Sequence, residues 1–503
     1  MKKIQLLIAA LLLSGGIMAQ STDEALRYSQ QHFNGTARSA AMGGAFGALG
    51  GDFSSLSINP AGIGVYRSSE FTFSPSIELT KAKNSGITQD NYSFTIGNIG
   101  YVATFKPRLD KKEGWKNFNL GLGYNRMNNF NRESISRVSN SSNSILDEWA
   151  INARGIPSDD LYNSSSIFYE RLGYDAFLIN PDENLNYQAA LETGDIVDQE
   201  RFLDEKGYIG EYLISFGANY NHKLYLGATI GIQDLFYEST SSYTEFAKRD
   251  NASPLQEFTF NEFYETSGIG VNFKFGAIYK PTNELRLGLA IHTPTFYDME
   301  SERSTSIISF FDPSRSDHPL YPSDGVAVHE FVSGDEENRR VYDFAEYNFE
   351  TPFRAIASAA YLFKKRALIS VDYEYINYSD AKYKDGPNGD NFYGRGDEMG
   401  INDEINSFYQ TTGNLRVGAE YRVNSYLSLR GGFAHFGSPY KNFSEASYEQ
   451  YSLGWGLKRN NFFFDMAYLY NTKDESYLFY PGSAVSKVEF QNHQMRMTFG
   501  FKF

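Results

Sequence analysis

The chain ends Met495-Arg496-Met497-Thr498-Phe499-Gly500-Phe501-Lys502-Phe503, and the reading of that stretch decides the fold. Successive side chains of an extended strand point to opposite faces. Met495, Met497, Phe499, Phe501 and Phe503 therefore share one face, and Gln494, Arg496, Thr498, Gly500 and Lys502 share the other. A soluble sandwich alternates too, with its apolar face turned inward. Here the polar face is rich in charge and glycine and the apolar face ends in aromatics. That is the pattern of a strand with lipid outside and a wet lumen inside.

The same pattern recurs upstream. Leu415, Val417, Ala419, Tyr421 and Val423 oppose Asn414, Arg416, Gly418, Glu420 and Arg422. Ala367, Ile369, Val371, Tyr373 and Tyr375 oppose Leu368, Ser370, Asp372 and Glu374. Fourteen such segments fall at roughly 69–79, 91–105, 116–127, 208–220, 222–238, 258–280, 283–297, 342–363, 366–378, 405–422, 425–437, 446–458, 460–472 and 487–503. An even count suits a closed, antiparallel bacterial barrel with both termini in the periplasm. The connections agree. Every second one is short, as at Asn221-His222, Lys280–Asn283, Lys364-Lys365, Asn424-Ser425 and Arg459-Asn460, with a longer turn near Lys106–Trp115. The alternate ones include long stretches at about 128–207, 298–341 and 379–404. Short turns on one side and long loops on the other is the asymmetry of an outer-membrane barrel.

Composition narrows the class. The 503 residues include no cysteine, which removes disulfide scaffolds, cysteine-ligated zinc and thiol catalysis. A net charge of −15 opposes nucleic-acid binding, which needs a basic face. Mean hydropathy of −0.45 opposes a polytopic helical membrane protein. The 37 Tyr, 41 Phe and 44 Gly suit short-turned β-structure with aromatic girdles. At the N-terminus, Lys2 and Lys3 precede the apolar run Ile4–Leu13 and then Ser14–Ala19. Those are the parts of a cleaved export signal, residues 1–19. Its loss leaves an acidic, exported chain, destined for the outer membrane of a Gram-negative cell. In hydrocarbon every backbone N–H and C=O must be paired internally, and a closed sheet achieves that without edges.

Residues 20–68 do not alternate. They carry Ser39–Gly51, rich in Gly and Ala, then Asp52-Phe53-Ser54-Ser55-Leu56-Ser57-Ile58-Asn59-Pro60-Ala61-Gly62-Ile63-Gly64. Asp52 can cap a short helix over Phe53–Ile58. Asn59 can cap a second with Pro60 at its first position, where the missing N–H costs nothing. So many small residues beside Phe, Leu and Ile suggest a compact plug inside a barrel occupying 69–503.

At these residues the sequence resembles the FadL family, outer-membrane transporters of long-chain fatty acids and other hydrophobic compounds. Gly43-Gly44-Ala45-Phe46, Asp52–Leu56 and Asn59-Pro60-Ala61 match the family's N-terminal hatch. Leu120–Tyr124, Thr351–Arg354, Val371–Tyr375 and Leu415–Arg422 match in the barrel. The terminal Phe503 resembles the C-terminal insertion signal of such barrels. The resemblance implies fourteen strands, a hatch containing Gly43, Gly44, Phe46, Asn59, Pro60 and Ala61, and a lateral opening near Asn119–Arg126. Gly121, Gly123 and Asn125 are its candidates there, the glycines either permitting a bulge or bend or simply packing in the barrel wall. It also implies passive passage: capture outside, displacement of the hatch, and sideways exit into the membrane. A long acyl chain gains roughly 0.8 kcal/mol per buried CH₂, so release into lipid is far easier than into water. An acidic head group would need a lumen cation. Inward positions offer Arg286, Arg354, Arg416 and Arg430, with Arg496 and Lys274 beside them, set against Asp372, Glu374, Glu420 and Asp465.

The insert at 128–207, with helix-like Ser144–Arg154 and Ile167–Leu178, exceeds what the resemblance implies. Other signals are sparse. The seven histidines show no metal-ligand spacing, no nucleophile elbow or P-loop occurs, and neither enzyme, metal nor cofactor is expected. The acidic stretch Asp385–Glu404, which contains Arg395-Gly396-Asp397, reads either as a solvated loop or as a calcium site. About 430 residues after the hatch are too few for a TonB-dependent receptor of twenty-two strands with a plug domain. The expected partners are hydrophobic small molecules, long-chain fatty acids among them, and outer-membrane lipid. One alternative stays open: some FadL-like barrels are protein-binding shuttles of the type IX secretion system, and a long acidic insert could hold cargo.

Overall fold

Alternation along the chain becomes a closed wall in the computed structural model, which describes residues 22–32, 35–107, 113–162, 168–332, 343–364, 366–386, 398–442 and 446–503. The segment read as an export signal, residues 1–19, and most of the acidic stretch, including Arg395-Gly396-Asp397, lie outside the described residues. Fourteen antiparallel strands make the barrel: β1 (Glu70–Asn84), β2 (Ile87–Phe105), β3 (Trp115–Asn129, continued by Arg132–Ser141), β4 (Val197–Tyr220), β5 (Leu224–Ala247), β6 (Leu255–Tyr279), β7 (Leu285–His292 and Phe296–Phe311), β8 (Asp343–Glu350 and Arg354–Phe363), β9 (Ala367–Asn377, continued by Lys382–Asp385), β10 (Thr411–Arg422), β11 (Leu427–Phe436), β12 (Tyr448–Arg459), β13 (Phe462–Tyr477) and β14 (Ser486–Lys502). Each pairs with the next, and β14 closes on β1, with Phe499 opposite Phe73 and Phe501 opposite Phe71. No helix among the described residues is long and apolar enough to cross a membrane, which says nothing against crossing by strands.

The faces divide as the pleat requires. On β6, Ile269, Val271, Phe273, Phe275 and Tyr279 are exposed on the outside, while Asn272, Lys274 and Ile278 are buried inside. The outward row of β5 is apolar at Leu226, Ile230 and Ile232, then mostly polar, with Asp234, Phe236, Glu238, Thr240, Ser242 and Thr244. The lipid-facing band therefore ends near Ile232, and the long-loop ends of the strands rise well beyond it. At the other end the turns are tight. Asn221 and His222 both take left-handed backbone, φ 54°, and Lys223 N–H donates to Tyr220 C=O at 3.0 Å. That pair of positive φ angles is the hairpin turn whose twist matches the flanking strands. In β7 and β8, Pro294 and Pro352 interrupt adjacent strands at one level, where a missing N–H would break the ladder.

Two readings of the sequence need correction. The segment taken as strand from 405 is a helix as far as Phe408 (Glu398–Phe408); Ile401 and Ile405 recur at helical spacing and are both buried. The stretch 128–207 is not one loop. Arg132–Ser141 continues β3, and 197–207 belong to β4. Between them lies a small folded cap with helices Ile145–Asn152 and Phe168–Asp175 and a hairpin of Ile179–Pro181 with Tyr187–Ala189. Ser144 and Asp147 form a reciprocal capping box on its first helix. Leu146, Trp149, Leu172 and Leu178 bury themselves on Phe258, Phe260, Ile307 and Phe311 of the barrel's extensions. The stretch 128–207 holds fifteen acidic residues against six basic ones.

Candidate functional site

Inside the barrel, the chain from Ala37 to Tyr66 is buried at nearly every residue. It forms only short elements: helices Ala37–Ala41 and Ser55–Ile58, and a 3-10 turn over Pro60–Val65. So little regular structure leaves many backbone groups that must find partners elsewhere. Inward side chains of the wall supply them. Thr498 Oγ1 accepts from Ala37 N–H at 2.7 Å, and Asp372 accepts from Gly47 N–H at 2.8 Å. His292 Nε2–H donates to Ile58 C=O at 2.9 Å, and Asn119 Nδ2 donates to Ile63 C=O at 2.6 Å. Asn117 Nδ2 reaches both Gly64 C=O and Tyr66 C=O.

The segment is also tied to itself. Asp52 accepts from Thr36 Oγ1 at 2.7 Å and from Ser54 N–H at 3.0 Å, one turn before the helix it was expected to cap directly. The Asn59 carbonyl oxygen accepts from Ala61 N–H at 3.1 Å, with Pro60 at the first position of the turn. Its amide donates to Gly47 C=O at 2.6 Å and to Ala277 C=O of β6 at 3.3 Å. One side chain thus joins two stretches of the plug to the wall. Gly43 and Gly44 take left-handed backbone, φ 63° and 78°, and Phe46 packs among Met42, Leu49, Ala290, Ile356 and Ala360.

Above this plug, helix Thr22–Ser29 enters an apolar chamber with Tyr237, Tyr264, Tyr297, Tyr347 and Tyr383 around it. Its Arg27 pairs with Glu205, which also binds Arg132 and accepts from Tyr237 Oη. Arg354 donates to Ser29 C=O beneath it.

Most of the lumen cations are already paired. Glu374 bridges Arg354 at 2.8 Å and Arg416 at 2.6 Å, all three fully buried. Arg430 joins Glu420 at 2.8 Å and Asp465 at 2.6 Å, and Arg38 of the plug meets the same Glu420 at 2.9 Å. Asp372, expected among the partners of these cations, instead takes a plug N–H. Arg286 donates to Leu49 C=O. Sequence reasoning missed a further pair, Lys274 with Glu211, which also accepts from Ser57 of the plug at 2.7 Å. Alternation puts both residues inward. Their meeting across β5 depends on Gly231, where a Cβ would strike the Glu211 carboxylate, and no sequence pattern announces that.

The wall itself is interrupted beside the plug. β2 and β3 pair from Phe105↔Phe118 to Asn98↔Asn125, and there the ladder stops. β2 continues to Ile87 paired only with β1. β3 bulges at Arg126–Asn128 and runs on inward, where side chains replace the ladder. Gln89 and Asn91 donate to Glu133 at 2.7 and 2.9 Å, and Asn129 donates to Glu78 at 2.8 Å. Asn125 sits at the last paired position and donates to Ser57 of the plug at 2.8 Å. Gly121 and Gly123 do not make the bulge. Gly123 faces Gly100 across the ladder, and together they seat the ring of Phe53; a Cβ on Gly121 would strike Leu56 and Ile63. These glycines admit the plug to the wall, and the bend lies a few residues further on.

Neither a protein-family model nor a curated protein matches the chain. Solved structures do. The toluene transporter TodX of P. putida is 13% identical with a TM-score of 0.51, covering 94% of this chain and 99% of its own. A Pseudomonas aeruginosa FadL homologue is 12% identical with a TM-score of 0.52, covering 93% and 98%. The Ralstonia pickettii toluene transporter TbuX is 14% identical at 0.50, again covering 93% and 98%. The fold is that of a FadL-type barrel. At this identity the likeness speaks for architecture alone.

Proposed function

We propose that this FadL-type barrel passes hydrophobic small molecules through the outer membrane, entering at the long-loop end and leaving sideways between β2 and β3. The observation that carries the reading is the end of the β2–β3 ladder at Asn98↔Asn125, level with Phe53 of the plug. A molecule in the lumen would meet lipid there without crossing water. The plug, Ala37–Tyr66, acts as the hatch, with Asn59 as its pin and Gly43, Gly44, Phe46, Pro60 and Ala61 fitting it to the wall. Toluene is what TodX and TbuX carry by name, and long-chain fatty acids are the cargo implied by the sequence resemblance; both belong in the assay. For Arg354, Arg416 or Arg430 to receive an acidic head group, an existing ion pair must open first.

The test uses the absence of native cysteine. Ser93 Oγ and Asn129 Nδ2 face each other across the gap at 3.4 Å. Cells carrying Ser93→Cys with Asn129→Cys should lose uptake of labelled fatty acid or toluene when the pair is oxidised and regain it on reduction. Uptake indifferent to oxidation, with the cross-link verified, sinks lateral exit. If deleting the gene changes uptake of neither compound, the alternative gains weight: a protein-binding role in secretion, which the acidic cap packed on the long-loop ends of the strands favours.

A further inference from the structure

The chain is acidic overall, yet the lumen mouth at the short-turn end is lined with cations. Arg422 continues the inward row of Arg416 and Glu420 on β10. Lys458 continues the row of Ser452 on β12, and Arg286 shares a face with Ala290 and His292 on β7. Lys280 follows Lys274 and Ile278 off the end of β6, and Arg67 leaves the plug at the same level. None of these five is in an ion pair among the described residues. The inward Lys502 is matched by Glu70 at 2.7 Å. The nitrogen of Lys280 is pushed down, first by burial and then by Arg286 and Arg67, with Glu284 of the same turn offsetting part of the fall.

Lysines on the outer rim of a barrel meet lipid phosphates, and that accounts for cations that point outward. It does not account for these, which point into the mouth beneath the hatch. Nor does a single small anion. The strands that carry Arg286 and Arg422 are three spacings apart along the wall, about 14 Å, and those of Arg422 and Lys458 about 10 Å. One phosphate held at roughly 2.8 Å from each donor reaches one group of these cations and leaves the others bare. An extended chain of carboxylates spans them all.

We infer that this vestibule docks an acidic polypeptide segment of a soluble partner, bound across Lys280 and Arg286 on one side and Arg422 and Lys458 on the other. Arg286 gives the docking a consequence, since the guanidinium that would meet the partner's carboxylate is the one holding Leu49 C=O of the hatch. That the mouth faces the periplasm rests on the orientation proposed above; the binding itself does not.

The experiment is fluorescence anisotropy of a labelled deca-glutamate peptide on the purified full-length barrel in nanodiscs, where both ends are open. At 50 mM salt the wild type should bind saturably, and binding should weaken steeply as salt rises. Arg422→Gln with Lys458→Gln should weaken it at least tenfold, and adding Lys280→Gln should abolish it. Arg286→Gln is left out of the set because it touches the hatch. Lys248→Gln at the long-loop end should change nothing. The inference is overturned by absence of binding at 50 mM salt, by equal binding in the triple variant, or by pyrophosphate displacing the peptide at equimolar concentration. Toluene or fatty-acid uptake is read separately, so failure here leaves the transport reading standing, and the reverse.

Discussion

Asn59 and Gly276 are fitted to each other: a Cβ on Gly276 would fall inside the Asn59 amide oxygen and crowd Ala61 N–H. The pin of the hatch thus depends on a missing methyl group in β6. Gly276→Ala is expected to dislodge Asn59 and cost about 1–3 kcal/mol, the usual range for overpacking. The barrel should still insert, and cells should become more permeable to bulky antibiotics. Gly431→Ala, whose nearest neighbour would be an ordinary 3.7 Å away, is the control and should change neither. Thermal unfolding and antibiotic sensitivity measure the pair.

Glu374 is the one carboxylate between Arg354 and Arg416, with Asn414 donating to it at 2.9 Å. Removing one partner of a buried ionic group leaves the others uncompensated, at about 3–5 kcal/mol. Glu374→Ala should therefore lower the unfolding temperature markedly, whereas Glu374→Gln, which keeps the shape and some hydrogen bonds, should lose less. If the two variants unfold alike, the network contributes by charge and not by packing.

These residues also show where sequence reading stops. The C-terminal strand, the fourteen segments and the turn parity are period-2 facts written along the chain, and the barrel follows from them. Asn59-Pro60 could be read as a cap because capping is local. The break beside Asn125 could be placed only by resemblance, and the sequence left open whether Gly121 and Gly123 bend the strand or pack in the wall. Whether a glycine bends a strand or admits a neighbour depends on what stands opposite, and Phe53 is about seventy residues away in sequence. The Lys274–Glu211 pair and the inward cations of the mouth were hidden for the same reason: they are relations between strands, and a strand read alone carries only its two faces.

Glu245, far above the lipid-facing band, anchors the cap. Its carboxylate accepts from Ser144 Oγ, Ile145 N–H at 3.0 Å, Gln199 Nε2 at 3.2 Å and Tyr243 Oη at 2.6 Å. Burial pushes it up to about 7 from an ordinary 4.5, with those donors offsetting part of the rise. A carboxyl whose docked value is raised binds its proton more tightly when docked. The cap should therefore hold best below about pH 4.5 and loosen as pH climbs through 7. Amide exchange over Ile145–Asn152, corrected for intrinsic rates, should show more protection at pH 5.5 than at 7.5. Glu245→Gln should flatten that difference, and an unchanged difference in the variant means another group is responsible.

Phe53 lies beside the break in the wall, its ring seated on Gly100 and Gly123 and packed with Leu56, Ile63 and Val102. Phe53→Ala empties that seat and should destabilise the plug by about 3–5 kcal/mol, as truncating a buried aromatic does. The functional direction follows from position. With the ring gone, the route from the lumen to the β2–β3 gap widens, so hydrophobic uptake should rise or stay level even as the plug weakens. Gly123→Ala should act oppositely to a simple cavity, forcing the ring away from the wall without removing it. Uptake that falls in Phe53→Ala while the barrel folds normally would mean the ring guides the cargo and does not block it. Measuring toluene and fatty-acid uptake in both variants, at matched surface expression, separates the two roles.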